Sequence, residues 1–254
     1  MPPLLPLPPF LSACRQRACP GDRVGKIELI CIPTANRATV FGRAARSYLG
    51  NARQYGHRPE LVVADDSSDP AVQAEYRVIL AGLAGEFDVP VSYAGPEEKR
   101  AYAVHLARAS GVPLAVTEFA LLNPFRIGYR PGANRNALLL YAAGRACFSA
   151  DDDTVCRPVP GPAKPWSLRL TDVPDPTTIR PYESLAHLER ELPFAPADVL
   201  GQHGRVLGSD VGSLLSDKPD VAVAIRHPGI VQAIQENRLR VAVGWNGLAG
   251  DCGH

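Results

Sequence analysis

The stretch Glu60-Leu-Val-Val-Ala-Asp-Asp-Ser-Ser-Asp-Pro70 decides the fold. Its first five residues have the apolar density of a buried strand, Asp65 to Asp69 form a polar loop, and Pro70 suits an early position in a helix that reaches Leu83. The same order stands immediately upstream. Lys26-Ile-Glu-Leu-Ile-Cys-Ile-Pro33 predicts a strand and Thr34-Ala-Asn-Arg37 its loop. Residues 38–56 then carry Val40, Phe41, Ala44, Ala45, Tyr48 and Leu49 at helical spacing and end at Gly56. Downstream, Val89 to Tyr93 predicts a third strand, a polar helix starts near Pro96, and another helix covers residues 113–122. Alternating strands and helices imply an α/β domain whose mostly parallel sheet is covered by helices on both faces.

Pro131 to Gly144 predicts one more helix, with Leu138, Leu139, Tyr141 and Ala142 available to the core and Gly144 as its C-cap. Arg145 to Ala150 then leads straight into Asp151-Asp-Asp153. In open α/β sheets ligands bind beyond the carboxyl ends of the strands, and three loops meet that description: 33–37, 65–69 and 151–154. Seven prolines between 158 and 181 predict a long irregular connection. Beyond it the pattern gives a helix over Tyr182 to Leu192, a strand over Asp220 to Ile225, a helix over Gly229 to Asn237 and a strand over Leu239 to Gly244. We therefore expect a disordered Pro-rich leader over 1–25, a ligand-binding half over 26–158, a Pro-rich loop over 159–182 and a second half over 183–254. That second half closes on a Gly-rich loop and reads as truncated.

The chain has 254 residues, with 27 basic against 26 acidic, so it can bury a sizeable core and offers no general surface for nucleic acid or anionic membrane. Arginine outnumbers lysine 23 to 4, which lowers the information in any single arginine. Six cysteines lack the CxxC pairs of a zinc site and the density of a disulfide scaffold, so free thiols and a cytoplasmic setting are the default. Leu11-Ser-Ala-Cys14 resembles a lipoprotein cleavage box. No Lys or Arg precedes it, however, and five prolines in the first nine residues break the helical segment that such a signal needs. No run approaches the roughly 18 consecutive apolar residues of a transmembrane helix.

Three adjacent carboxylates need an explanation. Two such charges ~4 Å apart repel by roughly 1 kcal/mol in water and about 4 kcal/mol at the effective dielectric near a protein surface, so something positive should sit nearby. One explanation is a set of hard oxygen ligands for Mn²⁺ or Mg²⁺ completed by substrate phosphates, with Asp151 and Asp153 on one side if the strand persists. The other is an exposed acidic turn. The spacing excludes Asp-x-Asp-x-Thr of the haloacid dehalogenase class, because Val155 and Cys156 occupy the threonine offsets, and it excludes an EF-hand loop. Asp65 and Asp66 could accept hydrogen bonds from a ribose or a base, or the loop could cap the helix that follows; both hold if Asp66 faces the ligand and Asp69 caps. Asn134-Arg135-Asn136 places an arginine at a helix N-terminus, where phosphate is favoured.

Ile32-Pro-Thr-Ala-Asn-Arg37, Leu61-Val-Val-Ala-Asp-Asp-Ser-Ser-Asp69, Gly132-Ala-Asn-Arg-Asn136 and Ala142-Ala-Gly-Arg145 with Asp151-Asp-Asp153, in that order, resemble the landmarks of family 2-type glycosyltransferases over residues 26–158. The resemblance implies a GT-A, Rossmann-like fold, a nucleotide-diphospho-sugar donor such as a UDP-, GDP- or dTDP-sugar, a hydroxyl acceptor of unspecified identity, and inversion. It implies that Asp153 and Asp151 hold Mn²⁺ or Mg²⁺. Pro33, Thr34 and Arg37 would line the nucleotide pocket, Asp65 or Asp66 would contact base or ribose, and Arg135, with Asp151 and Asp152, would approach the donor.

The family's usual Glu-Asp pair and Gln/Arg-x-x-Arg-Trp pattern are not visible after residue 158. Asp210, Asp251 and His203 are the candidate catalytic bases, each with a plain alternative as a loop cap or surface group. Two other classes compete: a sugar nucleotidylyltransferase, which should show a Gly-rich basic loop where Pro33-Thr-Ala-Asn-Arg37 has no glycine, and a degenerate or truncated domain that binds a nucleotide sugar without catalysis.

Overall fold

Four parallel strands, in the order β3-β2-β1-β4, form the central sheet of a computed structural model that describes residues 26–122, 131–158, 169–171, 182–191, 194–217, 222–224 and 227–244. The chain divides after Cys156 into two units. In the first, β1 (Leu29–Thr34) pairs with β2 (Glu60–Asp65), β2 with β3 (Val91–Ala94), and β1 on its other side with β4 (Cys147–Ser149). Helices α1 (Ala38–Gln54), α2 (Pro70–Phe87), α3 (Pro96–Ser110), α4 (Leu114–Leu121) and α5 (Pro131–Tyr141) connect them. The expected α/β class with a parallel, helix-flanked sheet is present.

Strand alternation sorts the core. Leu29, Cys31, Val62 and Ala64 meet Ala103 of α3, Leu121 of α4 and Ala137 and Leu138 of α5. Ile30, Ile32, Leu61 and Val63 point to the opposite face, and α1 and α2 contribute the fully buried Phe41, Ala44, Ala45, Tyr76 and Leu83. Each such large side chain contributes roughly 1.5–3 kcal/mol on leaving water. Gly42 lets α1 lie close to α2, since a Cβ there would stand 3.3 Å from Ile79 Cγ2.

Two local departures have simple causes. β3 starts at Val91 instead of Val89, because Pro90 has no N–H and contributes only its carbonyl, which accepts from Leu61 N at 2.9 Å. α5 stops at Tyr141, and Leu139, expected in the core, is 65% exposed. The buried side chains of α5 are Ala133, Asn134, Ala137 and Leu138, an i, i+4 stripe that leaves Leu139 and Leu140 on the outer side.

The second unit contains α6 (Leu185–Glu191), α7 (Val199–Gly204), α8 (Val211–Asp217), α9 (Pro228–Gln235) and a two-stranded parallel sheet of β5 (Arg169–Thr171) and β6 (Ala222–Ala224). The connection read as wholly irregular therefore carries a strand. The stretch from Trp166 to Val173 is free of proline, so its N–H groups are available for pairing. The strand expected over Leu239 to Gly244 is replaced by one antiparallel bridge between Asp210 and Arg240. Among the described residues no helix is long and apolar enough to cross a membrane.

Candidate functional site

The connection from β1 runs to β2 on one side of the sheet, whereas β4 adds on the other, so the strand order reverses between β1 and β4. That switch point is where open α/β sheets leave a crevice at their carboxyl ends. Cys31 is level with Ser149, and carrying the register forward three residues brings Asp152 level with Thr34. The Cys31 carbonyl points toward β4, accepting from Ala150 N at 3.1 Å. Pro33 two residues on faces the same way, beyond the end of β4, where no ladder partner is needed.

Asp152 turns inward and is 2% exposed. Its Oδ2 accepts from Thr34 Oγ1 at 2.6 Å and its Oδ1 pairs with Arg37 Nη2 at 3.1 Å. Thr34 has a single hydroxyl proton, which goes to Asp152, so Tyr76 donates to Thr34 Oγ1 at 2.7 Å and its oxygen accepts from Arg37 N at 2.9 Å. Burial pushes the Asp152 carboxyl above the usual range; Thr34 and Arg37 oppose that, and Asp153 and Asp151 add to it.

The side chains of Asp151 and Asp153 are about half exposed, 48% and 50%. β4 ends at Ser149, so the strand alternation that would have put Asp151 and Asp153 on one side does not extend to them. Arg135 Nη2 pairs with Asp151 Oδ1 at 2.8 Å, and Arg37 Nη1 with Asp153 Oδ2 at 2.9 Å. These arginines are the positive groups that the triplet demanded. The other oxygen of each carboxylate accepts no hydrogen bond among the described residues.

The second loop separates its acids by role. Asp65 is fully buried and spent: Oδ1 accepts from Ser67 N at 2.8 Å and Ser67 Oγ at 2.6 Å, and Oδ2 from Tyr93 OH at 2.7 Å. Asp69 caps α2, accepting from Ala71 N at 2.8 Å. Asp66 remains partly open, its side chain 20% exposed and paired with Lys99. Ser67 Oγ also accepts from Asn36 N at 2.8 Å, where Asn36 turns the loop after β1 at a φ of 55°. Of the two acids expected to meet base or ribose, Asp66 is thus the one with open surface.

Sequence reasoning missed Lys99 and used Asn134 only as part of a motif. Lys99 lies in the polar run Pro96-Glu-Glu-Lys-Arg100, which signals a solvated helix start, yet it is 1% exposed. Its ammonium pairs with Asp66 and donates to Asn134 Oδ1 at 2.7 Å, while Asn134 Nδ2 donates to the Thr34 carbonyl at 2.9 Å. A buried lysine among polar neighbours leaves no hydrophobic signature to find.

Among the described residues no three His, Cys, Asp or Glu side chains gather as a ready-made metal cage. The donor set still fits a hard cation of the Mg²⁺ or Mn²⁺ type, which usually takes one or two carboxylates and completes its shell with water and substrate phosphates. Asp151 and Asp153 are two such carboxylates. Of the candidate bases, Asp210 caps α8, accepting from Ser213 N at 2.9 Å, and His203 is half-buried on α7 against Gly244. Asp251 lies outside the described residues.

No family model, curated protein or solved structure matches the chain.

Proposed function

We propose that the chain is a metal-dependent glycosyltransferase of the GT-A, family 2 type. It would move a sugar from a nucleotide-diphospho-sugar to a hydroxyl acceptor with inversion, in the cytoplasm. The observation that carries the reading is the placement of Asp151, Asp153, Arg37 and Arg135 together at the β1/β4 switch point, with Asp66 at the end of the neighbouring strand.

Each residue has a task in that reading. Asp151 and Asp153 would hold the cation, which when bound supplies positive charge to the diphosphate leaving group. Arg37 and Arg135 can form charge-assisted, bidentate hydrogen bonds to phosphate oxygens. Asp152 does not reach the ligand; it fixes the triplet to β1 through Thr34. Asp66 accepts a hydrogen bond from base or ribose.

A second reading has one observation in its favour. Arg37 and Arg135 already pair with all three carboxylates of the triplet, so a domain that binds a nucleotide sugar without catalysis would explain the same charges. Hydrolysis of UDP-, GDP- and dTDP-sugars by the purified protein separates the two: release of nucleoside diphosphate supports catalysis, and nucleotide binding without release supports the second reading.

A further inference from the structure

We propose that Cys31 and Cys147 form a redox modification site: a peroxide oxidises Cys147 to a sulfenic acid, Cys31 resolves it to a disulfide, and the new bond draws β4 along β1 and displaces the acidic turn. The effect on nucleotide binding rests on the donor-site reading above, whereas the disulfide does not.

β4 is the last strand in the sheet order and, among the described residues, pairs through three residues with β1 alone. Cys147 is its first residue and half-buried, whereas Cys31 lies inside β1 and is 2% exposed. Both belong to the apolar face that α3, α4 and α5 cover. The thiols meet there, with the Cys31 S–H donating to the Cys147 sulfur. That hydrogen bond, helped by the Arg145 guanidinium, outweighs burial and brings the Cys147 thiol down to about 7. The same contact and burial push the Cys31 thiol up. Cys147 is therefore the nucleophilic thiolate and Cys31 the partner that keeps its proton.

The Cys147 thiolate attacks one peroxide oxygen, the O–O bond breaks, and hydroxide leaves to take up a proton as water; the sulfur gives up two electrons and the peroxide gains them. The Cys31 sulfur then attacks the Cys147 sulfur, the S–O bond breaks, and the departing hydroxide carries off the Cys31 proton as a second water. The product is strained. Cys147 is level with Leu29, two residues before Cys31, so a rise of about 3.3 Å per residue and a strand spacing of about 4.8 Å set the two Cα atoms roughly 8 Å apart. A disulfide closes without backbone movement only within about 7 Å. β1 is also held by β2 through six paired positions, so the three-residue β4 yields and Cys147 moves toward the level of Cys31. Asp152, just past the end of β4, moves with it and away from its partners Thr34 and Arg37.

The test treats the reduced full chain with hydrogen peroxide, blocks the remaining thiols by alkylation and maps the peptides by tandem mass spectrometry. A linked Cys31 and Cys147 pair should form before the other cysteines lose their thiols, and dithiothreitol should reverse it. Cys31→Ala should leave Cys147 as a sulfenic acid that dimedone captures, and Cys147→Ser should leave Cys31 reduced. In calorimetry with Mn²⁺, UDP or GDP should bind the oxidised wild type about tenfold more weakly than the reduced protein, the scale of one lost charge-assisted hydrogen bond. Cys147→Ser should bind equally before and after peroxide. Both thiols still free after the other cysteines have reacted, or Cys147 linked to a different cysteine, overturns the site. A linked pair with unchanged affinity overturns the displacement of the turn. A reduced protein that binds no nucleotide overturns the donor-site reading, and the peptide map alone then decides the thiol pair. Where Cys31→Ala does not fold, the wild-type map and Cys147→Ser decide it.

Discussion

Thr34 and Asp152, 118 positions apart, share a buried 2.6 Å hydrogen bond that joins the end of β1 to the turn after β4. Thr34→Val keeps the shape but removes both the donor to Asp152 and the acceptor for Tyr76 OH, leaving the buried carboxylate with Arg37. The expected loss is about 1–3 kcal/mol, read as a lower urea midpoint for the first unit. A stability equal to that of the wild type would mean that Arg37 suffices to hold Asp152.

Asp69 and Asp66 sit in one loop with different tasks. Asp69→Ala should cost about 1 kcal/mol through loss of the α2 cap and leave nucleotide affinity unchanged. If affinity falls with stability intact, Asp69 faces the ligand and the division of labour drawn here is wrong.

Glu60, at the start of β2, gives an acid-side signature. Burial pushes its carboxyl up, but hydrogen bonds from Tyr141, from Ser92 at 2.7 Å and from Arg145 at 2.8 Å outweigh it and hold the group below its ordinary range. A depressed carboxylate binds fewer protons folded than unfolded between the two pKa values, so stability rises with pH there. Its contribution is present above the unfolded value and lost as pH falls through the folded one. Glu60→Gln should flatten the stability profile below about pH 4.5 and lower stability at pH 7. Urea unfolding across pH 3–7 checks both; an unchanged acid slope contradicts the assignment.

Arg135 competes with any cation for Asp151. Both side chains are about half exposed, so the pair adds little to folding, at most about 1 kcal/mol. Arg135→Ala should raise the affinity for Mn²⁺ alone, measured by electron paramagnetic resonance, and lower it for UDP or GDP in the presence of Mn²⁺. Changes of the same sign in both would show that Arg135 does not exchange between carboxylate and phosphate.

The first two strand–loop–helix units were legible because long apolar runs and helical spacing report burial directly, and Pro70 and Gly56 mark their limits. Bringing Thr34 beside Asp152 was not legible, since it depends on β4 adding next to β1, which is a matter of sheet order. Lys99 escaped because a paired buried cation looks like a surface one in sequence. Leu139 misled because three consecutive leucines cannot all face one side of a helix. In the second unit α7 and α8 are only six and seven residues long, too short for a period to establish itself.

Isothermal calorimetry of UDP and GDP with Mn²⁺ or Mg²⁺, with EDTA, and with Asp153→Ala tests the central claim most directly. The account predicts binding of at least one nucleotide only with the cation, and its loss in a folded Asp153→Ala protein. Equal binding in EDTA, or none with either nucleotide under any condition, would contradict it.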